Sequence, residues 1–131
     1  MNTKLDKILA EISAGELIDK ITILEIKKNK ITNQDKLIEI EKELNSLNNT
    51  MNNSIRDKSK ISSLHSELKD LNLKLWDIEN EKRLAEKNND FGPKFIELAR
   101  NVYKFNDERA KIKLKINKTL GSNINEVKSH F

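Results

Sequence analysis

The stretch NDERAKIKLKIN, residues 106–117, carries two incompatible patterns. Lys111, Lys113 and Lys115 alternate with Ile112, Leu114 and Ile116, the period of a half-buried strand. Wound as a helix, the same letters put Asn106, Arg109, Lys113 and Asn117 on one face, at 3–4 spacing. The surroundings decide. No other segment offers a partner strand, and a lone strand is not viable. No Pro or Gly interrupts the chain from Lys94 to Leu120, and Gly121 stands where a helix C-cap belongs. Residues 106–117 are therefore read as the second half of a long helix that opens at Pro93, a favoured first-turn residue.

Working outward, the same period returns. Ile61, Leu64, Leu68, Leu71, Leu75, Ile78, Lys82 and Ala85 keep coiled-coil-like 3–4 spacing and predict a helix over about 57–87. KNNDFGP then turns the chain, so the third and fourth helices form a long antiparallel hairpin. Upstream, Ser13 followed three residues later by Glu16 is a capping box: Ser13 caps the Glu16 amide and Glu16 reaches back. A first helix follows over about 14–31. Leu17, Ile21, Leu24 and Ile31 form its main stripe, while Ile18, Ile23 and Ile26 lie off it, so this helix is apolar on more than one side. Asp35 reopens a second helix over about 34–49, and NNTMNNS reads as a polar loop. The expectation is an all-α, four-helix bundle-like domain spanning residues 1–131, the hairpin packed by the two N-terminal helices.

Composition bounds the function. The chain has 131 residues, 35% of them charged, with 3 Gly and 1 Pro, which suits long helices. Lys and Arg number 25 against 21 Asp and Glu, and the two signs are mixed along every segment, which reads as a solvated helix surface rather than a nucleic-acid footprint. With no cysteine and two distant histidines, a Cys- or His-based metal site is not expected. No apolar run approaches a membrane span and the N-terminus lacks a signal-peptide core, so the cytoplasm is the expected location. Apolar content of 36% and the two-sided first helix argue for a homo-oligomer, with a dimer favoured.

The face of the fourth helix is the closest approach to a functional signal. Phe95, Ala99, Val102, Asn106, Arg109, Lys113, Asn117 and Leu120 share it, apolar at both ends and polar in the middle. Three readings compete. Lysine and arginine stems cover apolar surface with their heads in water; the row is a buried structural network; or it lines a cleft for an anion, because a desolvated cation needs a partner. Glu25 beside the first stripe and Glu79 beside the third helix's seam are the expected carboxylate partners. Glu79 shares a row with Asn72, Glu86 and His65, the last read as a core-flanking residue rather than a ligand.

EISAGELIDKITILEIK near the start, and LWDIENEKRLAE with FIELARNVYKFNDERAKIKLKIN and EVKS in the second half, resemble a small bacterial family catalogued as domain of unknown function 6165. The resemblance covers most of the chain, with the Asn-rich middle departing from it. It implies family positions at Glu16, Asp19, Lys20 and Glu25, and at Trp76, Glu79, Arg100, Tyr103, Asn106, Asp107, Arg109, Lys113 and Asn117. It implies no reaction, only a bacterial or phage context near cell-surface polysaccharide genes.

Two functions from different classes follow. The first is a non-enzymatic interaction and assembly module. The second is a binding domain for a phosphosugar, nucleotide or carboxylate, using Arg100, Tyr103, Asn106, Asp107, Arg109, Lys113 and Asn117 with Glu25 and Glu79. An enzyme is disfavoured. Glu16 and Asp19, or Glu79 and Glu86, have the same-face spacing of an all-α Mg-dependent pyrophosphohydrolase, but the paired-Glu motif of that class is missing. The arginines a chorismate mutase needs in its first helix are missing too. No catalytic residue and no cofactor is expected.

Overall fold

A computed structural model describes residues 4–130 of the chain, and among them no strand forms. The helices are α1 (Ala14–Lys30), α2 (Gln34–Ser54), α3 (Ser62–Lys87) and α4 (Pro93–Leu120), with a 3-10 turn (Lys58–Ile61) leading into α3. The all-α fold expected from the periodicity is the one observed, and none of these helices is long and apolar enough to cross a membrane.

Local chemistry sets the boundaries. Ser13 Oγ accepts from the Glu16 amide at 3.1 Å and starts α1. Asn33 accepts from the Lys36 amide at 3.0 Å and starts α2. Gly121 closes α4 in the left-handed region at φ 68°, which glycine enters without steric cost. At the tip of the hairpin Asn89 takes φ 54°, and the Phe91 and Phe95 rings meet edge to face at 5.4 Å.

Two boundaries correct the sequence reading. NNTMNNS is not a loop: α2 continues through it to Ser54. Helix propensity there is poor, but Met51 packs against both apolar clusters of the protein, and that packing carries the helix onward. The stretch around Asp57 is a 3-10 turn rather than the first turn of α3; the Asp57 carboxylate accepts from the Ser59 amide at 3.1 Å.

The two-sidedness of α1 has its explanation within the chain. Leu17, Ile21 and Leu24 meet Ile40 and Leu44 of α2 in one cluster. On the other side Ile18 meets Ile55, Ile61, Leu68 of α3 and Ile116 of α4. Each buried Leu or Ile contributes about 1.5–3 kcal/mol relative to exposure. α1 is thus sandwiched between α2 and the hairpin, and Ile26 is buried as well.

Candidate functional site

The first turns of α1 run along the polar face of α4. Gly15 permits this: a Cβ added there would stand 2.9 Å from Lys113 Cα and closer still to its carbonyl oxygen, so only glycine lets the two backbones approach this far. The consequence is electrostatic. The amides at the start of α1 have no partners within the helix, and α4 with the chain beyond it supplies them. Asn117 Oδ1 accepts from the Gly15 amide at 2.6 Å, and Ser122 Oγ accepts from the Ala14 amide at 3.1 Å.

One turn further along α1, Asp19 is only 1% exposed. Arg109 grips it with two prongs, Nε to Oδ1 at 2.9 Å and Nη2 to Oδ2 at 2.5 Å. Such a bidentate pair is strong and directional. Asn72 Nδ2 of α3 donates to Asp19 Oδ1 and to Thr22 Oγ1, both at 2.9 Å, and the Thr22 hydroxyl donates to the Asp19 carbonyl at 2.7 Å. Asn106 Oδ1 accepts from Arg109 Nη1 at 3.3 Å. Lys113 Nζ lies 2.5 Å from Glu16 Oε2, 4.0 Å from Asp19 Oδ2 and 3.2 Å from Glu126 Oε2. The polar middle of α4 is therefore the strip on which the N-terminal half of α1 docks.

The charges shape each other. Its hydrogen bond to Asp19 raises the Arg109 guanidinium, against the pull of burial. Burial pushes the Lys113 ammonium down, but Glu16 and Asp19 outweigh it and the net shift is upward. Burial likewise pushes Glu16 up, and Lys113 more than reverses it. The signs fix a pH window. Glu16, lowered in the fold, contributes stability that is complete above its ordinary 4.5 and is lost as pH falls. Lys113, raised in the fold, contributes stability that is complete below its ordinary 10.5 and is lost as pH climbs. Urea unfolding followed from pH 3 to 11 should give a plateau between these limits with a decline at each end. Lys113→Met should lie below wild type on the plateau and converge on it at pH 3; a constant gap at every pH would refute this assignment.

Beside the docking strip opens a cleft of about 500 Å³. Ser13, Glu16, Asn106, Arg109, Lys113 and Asn117 form its floor, and Glu126, Val127, Lys128, Ser129 and His130 of the C-terminal segment form its roof. That segment, residues 122–130, has no regular structure and runs back over α4. Ser122 Oγ donates to the Ile124 carbonyl at 2.7 Å, Asn123 Nδ2 donates to Glu11 at 2.6 Å, and Lys128 pairs with Asp107 at 3.1 Å.

Of the residues singled out from sequence, Asn106, Arg109, Lys113 and Asn117 come together at this cleft, and Asp107 holds its roof through Lys128. Arg100 and Tyr103 are exposed nearer the start of α4. Glu25 and Glu79 are not the carboxylate partners. α1 crosses the hairpin, so its first turns face α4 while Glu25, ~9 Å further along at 1.5 Å per residue, faces α3, where it lies 3.3 Å from His65 and 3.4 Å from Lys69. Glu79 pairs with Lys82 of its own helix at 3.5 Å. Nor does Glu16 complete a reciprocal capping box, since its carboxylate goes to Lys113 and, at 3.6 Å, to Lys20. The Mg-binding pairing of Glu16 with Asp19 meets the same obstacle, because both carboxylates are engaged by cations. Thr22 and the roof residues were missed. A threonine within an apolar run signals only a hydroxyl bonded back to its own helix, and the roof carries no periodicity.

No curated protein and no solved structure matches this chain. A family model matches residues 8–130, which takes in all four helices and the roof of the cleft, and by that match the chain belongs to the family of unknown function DUF6165.

Proposed function

We propose that this chain is a non-catalytic helical binding module whose cleft takes a small molecule bearing a carboxylate or phosphate. One observation carries the reading. The Lys113 side chain is 15% exposed, faces the cleft, and receives from the roof a carboxylate, Glu126, in the position an anionic ligand would occupy. The amides of Asn106 and Asn117 and the Ser13 hydroxyl line the same space and suit a ligand that also carries hydroxyls, such as a sugar phosphate. Arg109 is a positioning residue here, spent on Asp19, and Lys113 is the anion contact.

Thermal melts test it with inorganic phosphate, citrate and a uridine-diphosphate sugar, the last chosen for the polysaccharide context the family resemblance implies. An anion at ten times its Kd should raise the wild-type Tm by about 5 °C, and Lys113→Ala should abolish the shift. A wild type indifferent to all three anions would refute the reading. A second reading, self-association, is favoured by Leu5, Ile8 and Leu9, each more than three-quarters exposed ahead of α1. Sedimentation at micromolar concentration tests it: a concentration-dependent dimer that Leu9→Asp dissolves supports it, and a monomer at all concentrations removes it.

A further inference from the structure

The roof of the cleft differs from its floor in how it is held. Gly121 and Ser122 fix its root: the Ser122 amide donates to the Asn117 carbonyl at 2.8 Å, and its hydroxyl caps α1. Beyond the root, the contacts that reach the α4 face include the Glu126–Lys113 and Lys128–Asp107 ion pairs, whose carboxylates are 62% and 54% exposed. Val127 between them is 85% exposed and buries almost nothing. Ion pairs with carboxylates this exposed open at little cost, and more readily as salt rises. Lys113 by contrast is anchored from below by Glu16 and does not leave when the roof does.

We infer that residues 123–130 are an electrostatic latch on the cleft, with Glu126 as an internal competitor for the anion that Lys113 receives. The inference rests on the binding reading above and adds its regulation. Entry of the anion replaces the Glu126 carboxylate at Lys113, so the ammonium keeps a negative partner while the roof is released. Binding and opening are one event.

The chain has no cysteine, so Val127→Cys gives a single attachment point for a nitroxide spin label. In that background the label should be immobilised at low salt and freed by Glu126→Gln, by 0.5 M NaCl, and by phosphate at low ionic strength. Glu126→Gln should bind phosphate about two- to five-fold more tightly than the parent, the gain expected from removing an exposed competing ion pair. Glu126 makes no core contact, so the variant keeps its fold, and unchanged helical circular dichroism verifies that. A label equally mobile in both proteins overturns the latch, as does equal phosphate affinity. A label freed by Glu126→Gln with no phosphate binding in either protein fails differently: it overturns the anion site on which the latch depends.

Discussion

Arg109→Ala should lower the free energy of unfolding by about 3–5 kcal/mol, the loss seen when one partner of a buried ion pair is removed. Asp19→Ala should cost less, about 2 kcal/mol, and the asymmetry is the informative part. Asp19 lies 1% exposed, so without the guanidinium its carboxylate keeps the Asn72 amide and a lysine 4.0 Å away in place of a bidentate partner. The Arg109 side chain is 28% exposed. Freed of Asp19, it can turn its head into the cleft and be solvated, while Asn72 keeps its bond to Thr22. The double variant should be far less destabilised than the sum of the two singles, with a coupling of about 2 kcal/mol. Urea unfolding at pH 7 of the four proteins measures all of this. An Arg109→Ala deficit below about 1 kcal/mol would place the pair in solvent-like surroundings and refute the docking strip as a stabilising element.

The same row shows what the sequence could and could not disclose. That Asn106, Arg109, Lys113 and Asn117 share one face follows from helical period alone, because each lies three or four residues from the next; that the face turns inward does not. The hairpin, the start of α1 at Ser13 and the end of α4 at Gly121 were legible for the same local reasons. Which carboxylates the row meets was not, because that depends on where α1 crosses the hairpin, and the crossing is fixed by one close approach between residues far apart in sequence. Glu25 and Glu79 stood beside apolar stripes and looked better placed than Asp19, which sits inside the LIDK run between Ile18 and Lys20. Of the row that Asn72 shares with Glu79 and His65, Asn72 reaches the site, while Glu79 pairs with Lys82 and His65 meets Glu25. The end of α2, beyond residue 49, was misread for the opposite reason: its letters favour a loop, and tertiary packing of Met51 overrides them.

The roof was hard to read for a third reason. Residues 122–130 have no period, and EVKS marks the family resemblance but not its contacts. The segment's contribution consists of single side chains reaching back to positions already occupied. Ser122 caps α1 and Glu126 contacts Lys113, so the C-terminal segment and the start of α1 stabilise each other through α4. Damage at the start of α1 should consequently be felt at the roof.

Gly15→Ala should make that coupling visible. In an ordinary helix this change stabilises by about 0.5–1 kcal/mol, because alanine has less backbone freedom to lose. Here the sign should reverse. The new methyl would stand 2.9 Å from Lys113 Cα, and what it meets is backbone, which cannot rotate aside as a side chain can. α1 must back away from α4, and Asn117, whose oxygen accepts from the Gly15 amide at 2.6 Å, loses its hold, as does Ser122 on the Ala14 amide. Overpacking of this kind costs about 3 kcal/mol at its upper end, enough to lower the Tm by roughly 10 °C in a chain of this size. Amide exchange at Ala14, Gly15 and Glu16 should accelerate together with that of residues 122–126, while the α1–α2 cluster around Leu24 and Ile40 stays protected. A neutral or stabilised Gly15→Ala protein would mean that α1 and α4 do not touch at this point, and the cleft built on their contact would fall with it.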